Sequence, residues 1–170
     1  KQTRIFVNPG GPIVGGGPST HSGLTGRKSA VDTYGEYSRH SGDALSGKDP
    51  LRIDRVGAYA ARYAARNVVA AGLARECEVA VSYAIGLSRP VSIQVQTFGT
   101  SAVSEDEVAD RVKAVFDFRL GWIVRELNLR RIPGMLPGGF FQRIACYGQM
   151  GRNDLDLPWE RTDRVDALRG

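Results

Sequence analysis

The stretch "DRVGAYAARYAARNVVAA", residues 54–71, constrains the fold more than any other part of the chain. Alanine dominates it, and alanine is the strongest helix former. Gly72 follows, placed as the glycine that ends a helix in the left-handed conformation. The pattern predicts a helix over 54–71 with Asp54 as its N-cap. Ala58, Ala61, Ala65, Val68 and Gly72 recur at spacings of three or four, which predicts a small-residue face for another element to pack on closely. Arg62 and Arg66 stand one turn apart on a different face and read as a solvated or salt-bridged stripe. This helix also marks a change in composition. Glycine crowds residues 8–50, in "NPGGPIVGGGP", "SGLTGRK" and "SGDALSGKDP", whereas regular elements fill the chain after residue 53.

Two strands follow the helix. "EVAVSYAI" places Val79, Val81, Tyr83 and Ile85 on one face, and "VSIQVQTF" does the same with Val91, Ile93, Val95 and Thr97. The short connection "LSRP" predicts an antiparallel pair. Ser104 and Glu107 form the pattern of a capping box, opening an amphipathic helix through about Phe116 with Val108, Val112 and Val115 as its apolar stripe. A helix over about 120–128 carries Trp122, Ile123 and Leu127. "RRIPGMLPGGFF" reads as a loop, "RIACYG" as a short strand, "LPWERTD" as a turn and "DRVDALRG" as a terminal helix. The first residues also read as a strand, and a chain that starts at Lys1 within a strand is expected to be a piece of a longer protein. Paired strands with separate helices argue an α+β fold. Residues 1–53 are expected to form a glycine-rich phosphate-loop segment, part of a subdomain whose rest lies upstream, and residues 54–170 a C-terminal α+β domain.

A chain of 170 residues buries roughly 70% of its unfolded surface and needs no staples. Cys77 and Cys146 fit no metal spacing or redox pair and read as two reduced, buried thiols of a cytosolic protein. No run approaches a membrane span. The net charge of +5 suits an anionic ligand, a polyphosphate or a nucleic acid. A nucleic-acid role has only this charge in its favour, because no aromatic residues interleave with the basic ones on a strand face.

"SGDALSGKDP", residues 41–50, has the glycine–lysine frame of a Walker A loop but not its setting. No buried strand precedes it, and Asp49 and Pro50 stand where a Ser or Thr should open a helix. What remains is a glycine turn presenting Lys48 close to Arg52 and Asp54: cations that could hold phosphate, beside carboxylates that could hold magnesium. Arg27 and Lys28 on "GLTGRK" form a second cationic turn, readable equally as an exposed basic turn. His21 and His40 have no partners at ligand spacing and read as hydrogen-bonding loop residues. No Ser, His and Asp arrangement suggests nucleophilic catalysis.

The blocks "GLTGRK", "VDTYG", "SGKDP", "AYAARYAARNVVAAGLA", "VSYAIG", "FGT", "AxYGxxGR" and "PWE", in this order, closely resemble the C-terminal part of the S-adenosylmethionine synthetase (methionine adenosyltransferase) family over nearly the whole chain. The resemblance implies three similar α+β subdomains around a pseudo-threefold axis, a tight homodimer with sites between its subunits, and often a tetramer. It implies a cytoplasmic enzyme that takes ATP, methionine and water to S-adenosylmethionine, phosphate and pyrophosphate, with Mg2+ and K+ as cofactors and with no nucleic-acid or membrane partner. Methionine sulfur attacks the 5′ carbon of ATP and the triphosphate leaves, so catalysis rests on alignment and on stabilising the departing charge.

By resemblance, Arg27, Lys28 and Lys48 meet the triphosphate as catalytic cations. Ile13, His21, Ser46, Gly47 and Arg52 complete the ATP, triphosphate and methionine contacts, and Asp54 is a magnesium ligand. The chain also departs from the family. Asp43 and Leu45 alter a loop that normally reads Gly-Gly-Gly-Ala-Phe-Ser-Gly-Lys-Asp. His21 stands where the family has an aspartate, Ile13 where an aromatic residue stacks on adenine, and Arg52 where a lysine is usual. Gln149 and Met150 replace His and Phe. The family's upstream parts, with the potassium-binding acid, lie outside this chain, so the fragment alone is expected to be inactive. The alternative is a catalytically degenerate relative serving as a structural or regulatory interaction module.

Overall fold

The computed structural model describes residues 3–17, 19–20, 29–40, 44–135 and 137–170. In chain order the elements are α1 (Ser29–Asp32), α2 (Ile53–Ala70), β1 (Glu78–Ser82), β2 (Ser92–Gln96), α3 (Glu105–Val115), α4 (Leu120–Glu126), α5 (Phe140–Ile144) and α6 (Val165–Arg169). Short 3-10 turns lie at Ile132–Gly134 and Pro158–Glu160. The class is α+β, as expected, and α2 is its axis: β1, α3, α4, α6 and the Pro158–Glu160 turn all pack on it.

The helix begins one residue earlier than its alanine pattern suggests. Asp49 starts a turn in which its side chain accepts from Leu51 N–H at 2.8 Å and its carbonyl from Arg52 N–H at 2.9 Å. Arg52 thus becomes the extended N-cap residue, without a side-chain cap. Asp54 lies inside the first turn, where a carboxylate still favours the positive end of the helix dipole. At the other end Gly72 (φ +75°) donates to Val69 O, and Leu73 to Val68 O, a Schellman closure that only a left-handed residue completes.

The deeply buried face of α2 differs from the alanine face read from the sequence. Arg55, Tyr59, Tyr63 and Asn67, each four residues apart, are buried, as is the adjacent row Val56, Ala60, Ala64 and Val68. Ala58, Ala61 and Ala65 are only half-buried and border a groove toward β1 and β2. The physical cause is the returning chain. Trp159 stacks on Tyr59 with ring centres 3.7 Å apart and planes 4° apart, and meets Phe140 edge-on at 6.0 Å. Asn67 donates to Arg161 O and accepts from Arg164 N–H, both at 2.9 Å. Arg62 grips the Glu160 carboxylate with two bonds of 2.9 and 2.8 Å, and Arg66 Nε donates to the Glu160 carbonyl at 2.6 Å. Arg62 and Arg66 are therefore a salt-bridged stripe, the second of the two roles open to them.

β1 and β2 pair antiparallel, with Val79 opposite Val95 and Val81 opposite Ile93, so the alternating apolar residues share one face. Each strand is five residues long, shorter than its apolar pattern. Tyr83 leaves the ladder to donate its hydroxyl to Phe118 O at 2.8 Å, and Ile85 is 87% exposed. Gly57 of α2 allows that ring in, since a Cβ there would stand 3.3 Å from it. Ser104 caps α3 by accepting from Glu107 N–H at 3.2 Å. The reciprocal half of the box is absent, because the Glu107 carboxylate bonds Arg111 at 2.6 Å instead.

Other expectations are corrected. "RIACYG" forms no strand: α5 ends within it, and Tyr147 (φ +62°) and Gly148 (φ +84°) reverse the chain. The "RRIPGMLPGGFF" stretch is not all loop, holding a 3-10 turn and the start of α5. Residues 3–17 form no strand, with Ile5 and Val7 each 80% exposed. Among the described residues no helix is long and apolar enough to cross a membrane.

Cys146 is exposed rather than buried, since it sits on the reversal after α5, whereas Cys77 is half-buried. Burial, then the charges of Glu105 and Glu78, pushes the Cys77 thiol up to about 12. Only the thiolate is reactive. Titration of the native chain with a disulfide reagent at mildly alkaline pH should therefore label Cys146 rapidly and Cys77 only on unfolding. Equal rates at both thiols would contradict this packing.

Candidate functional site

The loop before α2 is held by buried polar groups. Leu45 is 3% exposed, packed in the core, and Ser46 is 6% exposed. Ser46 N–H donates to Asp32 Oδ2 at 3.1 Å, from a buried aspartate at the end of α1. Asp32 O accepts from Gln149 N–H at 2.6 Å. The Gln149 side chain donates through Nε2 to Ser46 Oγ at 2.7 Å and accepts through Oε1 from the Tyr59 hydroxyl at 2.5 Å. Tyr59 Oη in turn accepts from Arg55 Nε at 2.8 Å, and Arg55 Nη1 donates to Lys48 O at 2.7 Å. Arg55 also lies over the Phe141 ring at 4.7 Å. Between the two tied positions stands Gly47 at φ +84°, where a side chain would be strained.

This arrangement holds Lys48 so that its Nζ lies 2.8 Å from Asp54 Oδ2, with both side chains partly open to solvent. Exposed ion pairs of this kind contribute about 0–1 kcal/mol. Ser46, Gly47, Lys48, Asp49, Pro50, Arg55, Phe141 and Ala145 border an open cavity of about 460 Å³. A wider groove of about 1450 Å³ runs along the alanine face of α2 and the hairpin, with Arg52 and Asp54 at its edge. The smaller cavity bears on the chemistry, because it holds Lys48.

Of the sequence-derived site residues, Ser46, Gly47, Lys48 and Asp54 come together around this turn. Arg52 is exposed at the N-cap of α2. Ile13 is 83% exposed. His21, Arg27 and Lys28, like Asp43, lie outside the described residues. His40 is a hydrogen-bonding loop residue, with its ring nitrogens at Thr33 Oγ1 (3.3 Å) and Gly35 O (2.7 Å). Sequence reasoning missed Asp32, Arg55 and Tyr59, and met Gln149 only as a substitution. A signal for two of them was present: Arg55, Tyr59, Tyr63 and Asn67 recur every four residues, a row of polar-tipped side chains along a helix.

No group of three His, Cys, Asp or Glu side chains able to hold a metal ion occurs among the described residues. Asp54 is one carboxylate beside the Lys48 ammonium. That suits Mg2+, which commonly binds through one or two carboxylates together with substrate phosphates, and does not suit a metal caged by protein alone.

Residues 15–161 match a family model described as S-adenosylmethionine synthetase, C-terminal domain. The chain is 58% identical over 167 residues to the S-adenosylmethionine synthase of Synechococcus elongatus, covering 98% of this chain and 40% of that protein. It is 57% identical over 169 residues to that of Crocosphaera subtropica, covering 99% of this chain and 41% of that protein. Among solved structures, an unusual S-adenosylmethionine synthetase from Campylobacter jejuni superposes with a TM-score of 0.78 at 40% identity, covering 86% of this chain and 37% of that one. The chain thus spans about two fifths of the length of the curated relatives it matches.

Tyr59 links the loop to the core, and its ionisation reports on both. Burial, against the opposing influence of Arg55, pushes its hydroxyl up to about 12, and burial then the Asp163 contact does the same for Tyr63. Unfolded tyrosine ionises near 10. The folded state therefore holds these protons more tightly, and the stability they confer is complete below about pH 10 and lost as pH rises toward 12. Urea midpoints measured across that window should fall steeply, and tyrosinate absorbance of the native chain should lag that of the unfolded chain. Coincident titration curves would refute the burial of these hydroxyls.

Proposed function

Because the chain belongs to the S-adenosylmethionine synthetase family, where it matches the C-terminal domain, we propose that it supplies the triphosphate-holding part of a methionine adenosyltransferase site. The reaction takes ATP, methionine and water to S-adenosylmethionine, phosphate and pyrophosphate. The observation that carries this reading is Lys48, presented on a turn whose two flanks are hydrogen-bonded into the core, with its Nζ 2.8 Å from a partly exposed carboxylate.

In this proposal the Lys48 ammonium leaves Asp54 for the triphosphate, stabilising charge as the polyphosphate departs. Arg27 and Lys28 join it, and Arg52 adds a planar donor in place of a point charge. Asp54, released from Lys48, would hold Mg2+ together with phosphate oxygens; the ion would neutralise polyphosphate charge. We assign K+ no ligands within this chain. Ser46 and Gly47 shape the loop, while Ile13 and His21 would lie toward the adenine and methionine ends. Self-association as a dimer or tetramer, methionine as co-substrate and a cytoplasmic setting belong to the same proposal. The 170-residue chain alone would bind triphosphate without turning over.

Two observations favour a second reading, a catalytically silent scaffold. Leu45 is spent on the core at 3% exposure, and Ile13 stands 83% exposed with no aromatic ring to offer adenine. Calorimetry separates the two. Tripolyphosphate with Mg2+ should bind the chain saturably, and Lys48→Ala should weaken binding at least tenfold, the loss of a charge-assisted bond. Equal affinity in that variant would rule out the loop assignment. No binding by the parent chain, with tight dimerisation, would support the scaffold.

A further inference from the structure

We propose that Gln149 is a positioning residue for Lys48, acting through Tyr59 and Arg55 on one side of the loop and through Ser46 on the other. The proposal rests on the phosphate-loop reading and deepens it. Gln149 is fully buried and all its polar groups are used: N–H to Asp32 O, C=O from Trp159 Nε1, Nε2 to Ser46 Oγ, Oε1 from Tyr59 Oη. It touches neither Lys48 nor Asp54 in any of these contacts. Its effect on Lys48 passes through three hydrogen bonds: Tyr59 Oη to Gln149 Oε1, Arg55 Nε to Tyr59 Oη at 2.8 Å and Arg55 Nη1 to Lys48 O at 2.7 Å.

The direction of the relay follows from donor and acceptor chemistry. A guanidinium only donates, so Tyr59 Oη receives Arg55 Nε–H and turns its own hydrogen toward Gln149. That demands the amide oxygen on the Tyr59 side and leaves the NH2 for Ser46. The opposite amide orientation would strand the hydroxyl hydrogen in a buried place, at the cost of an unpaired donor. One amide therefore ties Ser46 directly and Lys48 at two removes, and only Gly47 between them is untethered by it. With both flanks tied, the path of the Lys48 side chain out of the loop is set. The charged or titratable groups facing this relay are Asp32 from α1, Arg55 and Tyr59 from α2, and Glu160, which reaches the adjoining turn through Gly151 N–H at 2.7 Å.

The test compares amide hydrogen exchange at Ser46 and Lys48, without ligand, with calorimetric affinity for tripolyphosphate plus Mg2+, on the whole chain. Tyr59→Phe keeps the ring on Trp159 and removes only the hydroxyl. Gln149→Leu removes both amide bonds. Gln149→His offers one donor and one acceptor when neutral, and two donors when protonated. Tyr59→Phe should loosen both amides and weaken affinity roughly tenfold, the scale of a buried hydrogen bond to a charged network. Adding Gln149→Leu to it should bring less than the sum of the two losses, as expected for groups acting as a unit. Gln149→His should restore loop protection and affinity above the ordinary histidine pKa of about 6.5 and lose both below it.

Loosened amides with unchanged affinity would overturn the positioning role, as would weakened affinity with the loop untouched, additive losses, or a histidine variant without a pH-dependent rescue. Failure of the parent chain to bind tripolyphosphate would overturn the phosphate reading and this proposal with it. The exchange data would still report, in that case, whether the relay itself holds the loop.

Discussion

The return of residues 149–164 across α2 is the contact on which the rest of this structure depends. Trp159 lies flat on Tyr59, and its indole N–H closes on the Gln149 carbonyl at 2.8 Å. A buried tryptophan of this kind accounts for about 3–5 kcal/mol when truncated, a large share of the marginal stability of a domain. The stack also buries the polar row Arg55, Tyr59, Tyr63 and Asn67. Burying that row without partners would be costly; the returning segment supplies them for Tyr59, Tyr63 and Asn67 through Gln149, Asp163, Arg164 and Arg161, while Arg55 pairs with Tyr59 and Lys48 O.

The loop before α2 inherits its order from that contact. Four atoms that define the turn, Ser46 N, Ser46 Oγ, Lys48 O and Lys48 Nζ, are met by Asp32, Gln149, Arg55 and Asp54 respectively. Two of these partners lie on α2, and a third is delivered by the turn after α5. The glycine turn at residues 46–48 is thereby fixed by side-chain and backbone hydrogen bonds. The Lys48–Asp54 ion pair, by contrast, stays partly open to solvent at the edge of this hydrogen-bonded turn.

Substitutions that looked damaging in the sequence acquire different weights in three dimensions. Gln149 is the hub of a satisfied network, so that change is accommodated. Leu45 fills core space, a use that any apolar side chain of suitable volume can meet. Ile13, on an exposed stretch, gains no compensating contact from its own burial. The loop and the core thus accommodate the changes at Gln149 and Leu45, while Ile13 stays exposed.

Periodicity made α2, the hairpin register and the α3 cap legible, because those features depend on side chains a few residues apart. The alanine run, the alternation of Val79 and Val81 against Val95 and Ile93, and Ser104 before Glu107 all carry their own local physics. Lys48 beside Asp54 was legible for the same reason, six residues apart on one turn. The burial of Tyr59 and the place of Gln149 were not, since the partners that decide them lie far away in the chain. Tyr59 and Gln149 meet across 90 positions, and Ser46 and Gln149 across 103. By itself, then, the sequence determined α2, the β1–β2 hairpin, α3, α4 and α6, and the glycine turn that carries Lys48. Only the tertiary structure decided which face of α2 is core and what holds the loop, because hydrogen-bond partners so distant in the chain become neighbours only when packing brings them together.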